Sequence, residues 1–181
     1  MRFILSALLM FVGFIPAHAA DSSLLEKYND QVYLNYTLSD SDKSFWHNIR
    51  DMLRSGDTVQ VLHRVEIERD TGAPFLREEA KVKVNKFAYF NLFENTMLVG
   101  TSADKGDMSL VLSEDYVRNY LLSLKNQPIT MDPPLRKGET VRVSVEAVLF
   151  EAFERSGWRK YIPLQDFFRS HINQEFKDVV R

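Results

Sequence analysis

The 181-residue chain contains no cysteine. That removes disulfides, thiolate nucleophiles, cysteine-ligated metals and lipid attachment to a cysteine in one step. Glycine is scarce as well, with 7 in the chain, and no Gly-rich phosphate loop, dinucleotide fingerprint or Gly-x-Ser-x-Gly elbow occurs. Charge of one sign is lacking too: 23 Lys and Arg stand against 25 Asp and Glu. A balance this even argues against binding nucleic acid or an anionic membrane by bulk charge. No histidine pair has ligand spacing, so the sequence indicates neither a metal site nor a cofactor.

What the chain does have begins at residue 1. Met1-Arg2 forms a short positive region, and residues 3–15 are almost wholly apolar and carry no charge. Pro16 then precedes Ala17-His18-Ala19-Ala20, a small-x-small cleavage pattern. An apolar run of about 13 residues is short for a bilayer span and suits a signal peptide. Residues 1–20 are therefore expected to be a secretory signal cut after Ala19 or Ala20, leaving 21–181 as one globular domain. The brief n-region points to the periplasm, with full secretion as the alternative. No second run follows that would insert stably in a membrane. Oligomeric state is not legible.

Hydrophobic periodicity predicts the elements. Residues 21–29 read as polar and frayed. Val32, Leu34, Tyr36 and Leu38 alternate as a strand. After cap candidates at 39–42, Phe45, Trp46, Ile49, Met52 and Leu53 recur at helical spacing until Gly56. Val59, Val61, His63, Val65 and Ile67 form the apolar face of a long strand. A turn at Asp70-Thr71-Gly72 returns the chain as a hairpin through 77–91, with an irregularity expected before Phe90. Short strands follow at 96–101 and 108–112. Ser113 caps a second helix carrying Val117, Tyr120, Leu121 and Leu124, running toward Pro128. A connector at Asp132-Pro133-Pro134 leads to a second long strand over 139–153. The tail, 162–181, reads as a third helix, with Phe168, Ile172, Phe176 and Val179 on one stripe over 163–180. These elements imply an α+β fold: a mainly antiparallel, sandwich-like β core with about three peripheral helices. The stretch from Leu53 to Val61 echoes that from Leu135 to Val143, each with a glycine and an acid before a long strand. Shared loop-to-strand chemistry is the simpler explanation.

Candidate chemistry is sparse. His63 reads as a hydrogen-bonded core histidine, His47 lies on the first helix and His171 in the tail. Glu66, Glu68, Glu78, Glu79 and Asp115 are the acids a paired-carboxylate hydrolase would draw on. The loop Asp104-Lys105-Gly106-Asp107 lacks the ligand pattern of a calcium loop. The best surface candidate is the turn around Trp158, Arg159 and Tyr161, residue types favoured at interaction hot spots.

Several stretches resemble the exported bacterial family known as domain of unknown function 4390. They are Leu38-Ser39, Leu53-Arg54-Ser55-Gly56, the Val- and Glu-rich strand from Val59 to Arg69, Leu135-Arg136-Lys137-Gly138 and Gly157-Trp158. The resemblance spans most of residues 32–160. It implies an envelope location and brings no functional residues with it. The expectation is a non-enzymatic periplasmic module binding an envelope protein or a ligand. The alternative is a carboxylate-dependent hydrolase acting on cell-wall or carbohydrate substrates.

Overall fold

The computed structural model describes residues 24–38, 43–69, 78–102, 105–151 and 170–181. The expected signal peptide, the turn at 70–72 and the segment holding Trp158, Arg159 and Tyr161 lie outside them.

Nine strands and two α-helices form among the described residues, in the order β1 (Leu25–Tyr28), β2 (Gln31–Thr37), α1 (Lys43–Arg54), β3 (Thr58–Arg69), β4 (Glu79–Asn91), β5 (Thr96–Gly100), β6 (Ser109–Val111), α2 (Glu114–Leu122), β7 (Ser123–Ile129), β8 (Thr140–Glu151) and β9 (His171–Val179). A one-turn 3-10 helix at Lys105–Asp107 precedes β6. The strands make a six-stranded sheet, β6-β5-β4-β3-β8-β9, and a three-stranded sheet, β1-β2-β7. Every pairing is antiparallel. The α+β reading with an antiparallel, sandwich-like core therefore holds.

The long strands β3 and β8 sit at the centre because their alternation is cleanest. Val59, Val61, Val65 and Ile67 of β3, and Val141, Val143, Val145 and Ala147 of β8, are all within one per cent of complete burial. β-branched side chains pack well on such a pleated, covered face. Both helices contact this side of the sheet. α1 seats Phe45, Ile49 and Leu53, three residues at successive spacings of four, into the core.

The entries to these two strands explain the sequence echo. Gly56 has φ +83° and Gly138 has φ +86°, a left-handed conformation that glycine adopts without steric cost. At Gly56 the need is doubled, since a Cβ would lie 2.9 Å from Leu92 Cδ1. Like backbone demands at two loop-to-strand junctions call for like residues.

Four expectations are corrected. Residues 171–179 of the tail are not helical: they form β9, paired along β8 from Thr140↔Val179 to Val148↔His171, so two helices are seen among the described residues and not three, while Phe168 lies outside those residues. Ile172 and Phe176 lie four apart, a spacing that satisfies a helix turn and two strand repeats equally. The burial of alternate residues, ending at Val180 and not at Val179, shows the period of two. Second, residues 25–28 are not frayed; Leu25 is fully buried and β1 pairs with β2. Third, α2 stops at Leu122, and Leu124 and Pro128 belong to β7. Proline is admissible there because β7 is an edge strand. Fourth, β4 has no irregularity: its register with β3 is unbroken from Glu68↔Glu79 to Thr58↔Tyr89. The unbroken register turns Lys86 into the core side of the sheet, opposite Val61.

β9 also joins the two sheets. Tyr36 of β2 stacks on Phe176 with ring centroids 5.7 Å apart, and its hydroxyl donates to Gln174. Burial pushes the Tyr36 phenol up to about 12.

Candidate functional site

Three polar residues are buried among those described: His63, Lys86 and Ser123. All three converge on the end of α2. An α-helix leaves its last four carbonyls without internal partners, and here each finds a separate donor. Asn119 O accepts from Ser123 Oγ at 2.6 Å. Tyr120 O accepts from Lys86 Nζ at 2.6 Å. Leu121 O accepts from His63 Nε2 at 2.8 Å. Leu122 O accepts from the Leu38 amide at 2.8 Å. Lys86 also donates to Ser123 O, the first carbonyl of β7, and its ammonium lies 4.7 Å from the Tyr120 ring centroid.

The electrostatics follow from this enclosure. Burial is the main cause that lowers His63 from 6.5 to about 4; the Leu121 bond opposes it and the Lys86 charge adds to it. Burial, helped by Lys125, lowers Lys86 to about 8. A cation at a helix C-terminus meets the negative end of the macrodipole, so the placement of Lys86 is that of a capping group. The expectation of a hydrogen-bonded core histidine at position 63 is met on one ring nitrogen, while Nδ1 has no hydrogen-bond partner.

The remaining candidates are dispersed. His47 pairs with Asp51 at 3.2 Å on α1, and His171 begins β9. No group of three or more metal-ligating side chains occurs among the described residues. The acids proposed for hydrolysis are each engaged or apart. Lys81 lies 3.5 Å from Glu66 and 3.1 Å from Glu79, and Arg142 lies 3.8 Å from Glu68. Arg69, largely buried, holds Glu78 and Glu139 together and donates to the carbonyls of Pro133 at 2.7 Å and Pro134 at 3.3 Å. Asp115 stands in the first turn of α2, which Ser113 caps by accepting the Tyr116 amide at 3.1 Å.

The other side of the six-stranded sheet divides into two halves, a feature that the register alone reveals. One half is charged: Lys83↔Arg64↔Glu146, Lys81↔Glu66↔Ser144↔Glu175 and Glu79↔Glu68↔Arg142↔Lys177 lie in successive rows. The other half is mainly apolar, with Gln60 donating to Asn85 within it. Leu110, Leu98 and Tyr89 share a row; Phe87 and Phe150 share the next through Gln60, and Leu62 and Val148 the one after. Phe87 and Val148 are buried yet stand outside the main core cluster. At the β6 edge the apolar surface becomes accessible: Leu110 is 59% exposed and Leu112, just past the strand, 94%. Phe93, in the β4–β5 turn, is fully exposed.

Sequence reasoning missed both features. Lys86 was legible as a lysine out of phase with its strand, but the pattern also fits a bulge. The apolar half-face needs strand order, which no local period encodes. Comparison with protein-family models, curated proteins and solved structures finds no match.

Proposed function

We propose that this chain is an exported, non-enzymatic module of the periplasm that binds an envelope protein through the exposed apolar residues at the β6 edge of its outer sheet face. The observation that carries the reading is the exposure of Leu110 and Leu112 at that edge. Exposed apolar surface beside an unpaired sheet edge is where a partner gains most from burial. The chemistry-bearing groups point the same way. His63 and Lys86 are spent on α2, and Glu66, Glu68, Glu79 and Glu146 of the charged half are paired with lysine or arginine. A hydrolase of the alternative class needs two unencumbered carboxyl groups facing one bond, so binding is the better supported reading. The apolar run at residues 3–15 and the small-residue pattern at 17–20 support the address.

The test is photo-crosslinking in the envelope from position 112, with position 177 on the charged half as control. A discrete adduct from 112 alone is expected. The double variant Leu110→Asp with Leu112→Asp should lose that partner in pull-downs at an unchanged melting temperature. A parallel Trp158→Ala variant reads whether the sequence-derived anchor of Trp158, Arg159 and Tyr161 takes part. Equal adducts from both halves, or retention by the double variant, would sink the reading. A ligand mass in native spectra that the double variant keeps would replace it with a small-molecule carrier.

A further inference from the structure

We propose that His63 and Lys86 form an acid-opened latch: protonation of His63 at Nδ1 releases the end of α2 and the start of β7 from the six-stranded sheet. The geometry behind this is specific. His63 is fully buried, and its Nε2 donates to Leu121 O, which assigns the neutral ring its proton on Nε2 and a bare lone pair on Nδ1. Nδ1 is buried with no hydrogen-bond partner among the described residues. A second proton would therefore place an N–H, and a charge, where nothing accepts it.

The described surroundings offer no counter-charge. On the same side of β3, the neighbours Val61 and Val65 are apolar. Across the ladder, β8 presents Ala147 and β4 presents Val84, and the one charged group of β4 on this side is the Lys86 ammonium, which repels a charged imidazole. α2 contributes the Tyr120 phenol, itself raised by burial. β7 contributes Ser123, with exposed Lys125 acting on Lys86. α1 presents apolar residues to the core, and the Tyr36 phenol of β2 is committed to Gln174. Among the described residues no carboxylate contributes to the His63 environment.

The joint is also the right place for a local opening. Two of the bonds that hold α2 to the sheet, at Tyr120 O and Leu121 O, come from Lys86 and His63. When the His63 ring leaves its site to gain water, the Leu121 carbonyl loses its donor and the last turn loses its seat. β3 and β8 keep their own ladder throughout. The device is thus a buried histidine biasing a two-state element, and it is independent of the binding reading above.

Hydrogen exchange of the whole protein between pH 4 and 7, corrected for intrinsic rates, tests it. Amides of residues 119–125 should lose protection by about tenfold per pH unit once His63 protonation drives the opening, while β3 and β8 amides hold theirs. Imidazole NMR should show the Nε2–H tautomer and a transition near pH 4. His63→Gln keeps a donor for Leu121 O without titrating, and should flatten the pH dependence. Lys86→Gln removes the repelling charge, and should move the transition toward pH 6.5; this arm stands even where His63→Gln does not fold. Uniform loss of protection across both layers would overturn the latch. So would a histidine that already titrates near 6.5, or a Lys86→Gln variant with an unmoved transition.

Discussion

One carboxylate oxygen of Asp178, near the end of β9, accepts the main-chain amides of Leu24 at 3.1 Å and Leu25 at 2.9 Å. Beside it, Arg181 and β1 exchange two main-chain bonds, Arg181 N to Leu25 O at 3.0 Å and Lys27 N to Arg181 O at 2.8 Å. β1 is thus anchored by residues more than 150 positions away, and Leu25 owes its burial to that anchor as much as to β2.

Asp178→Ala should cost about 3 kcal/mol, since two charge-assisted bonds to partly buried amides are lost together. Asp178→Asn keeps an acceptor oxygen and should lose roughly 1 kcal/mol. Urea denaturation of the three proteins separates these values. An Asp178→Ala protein as stable as the parent would mean that β1 is held by its pairing with β2 alone.

Alkaline stability should pass through a maximum near pH 10. The folded Lys86 titrates at about 8, below its ordinary 10.5, so the unfolded chain binds the extra proton between those values. Stability from this group is complete above 10.5 and is lost as the pH falls to about 8. Tyr36 acts in the opposite sense. Its folded value of about 12 lies above 10.0, so its contribution is complete below pH 10 and is lost as the pH rises beyond it. Urea midpoints measured from pH 7 to 11 should rise and then fall. Lys86→Met should remove the rise and leave the fall.

The two positive-φ glycines should respond unequally to alanine. Gly138→Ala meets open space and should cost about 1 kcal/mol for the left-handed backbone alone. Gly56→Ala adds a 2.9 Å approach to the Leu92 side chain and should cost more. Gly56→Ala in a Leu92→Ala background should bring the two positions level, with thermal midpoints as the readout. Equal costs in the parent background would show that Leu92 yields freely.

Arg69→Lys should destabilise by roughly 2 kcal/mol, because a point charge cannot span two carboxylates and two carbonyls as a guanidinium fork does. The side chain is only 12% exposed, so 0.5 M salt should leave the loss largely intact. A loss that vanishes in salt would reassign the group as an ordinary surface pair.

Much of this architecture was legible in the sequence because β3, β8 and α1 each carry an apolar core side, so composition follows the period. The elements that escaped lack that signal. β9 carries its two large apolar residues four apart, which strand and helix share. β1 has Leu25 as its one buried residue. β7 continues from α2 without a break, and Leu124 falls in phase with both. The α2 joint was half legible: position 63 stood out as a histidine on an apolar face, but its acceptor is a backbone carbonyl 58 residues away, which no side-chain pattern announces. The apolar half-face was not legible, since Leu62, Phe87, Leu98, Leu110 and Val148 are brought together by strand order alone.

The anchoring of β1 by β9 has a consequence for the order of assembly. The central β3–β4 hairpin closes over a short separation and has what it needs early. The first strand gains its contacts with Asp178 and Arg181 only by closing a loop of more than 150 residues, the entropically slowest kind of closure. A chain built this way completes its first strand only once its far end is delivered.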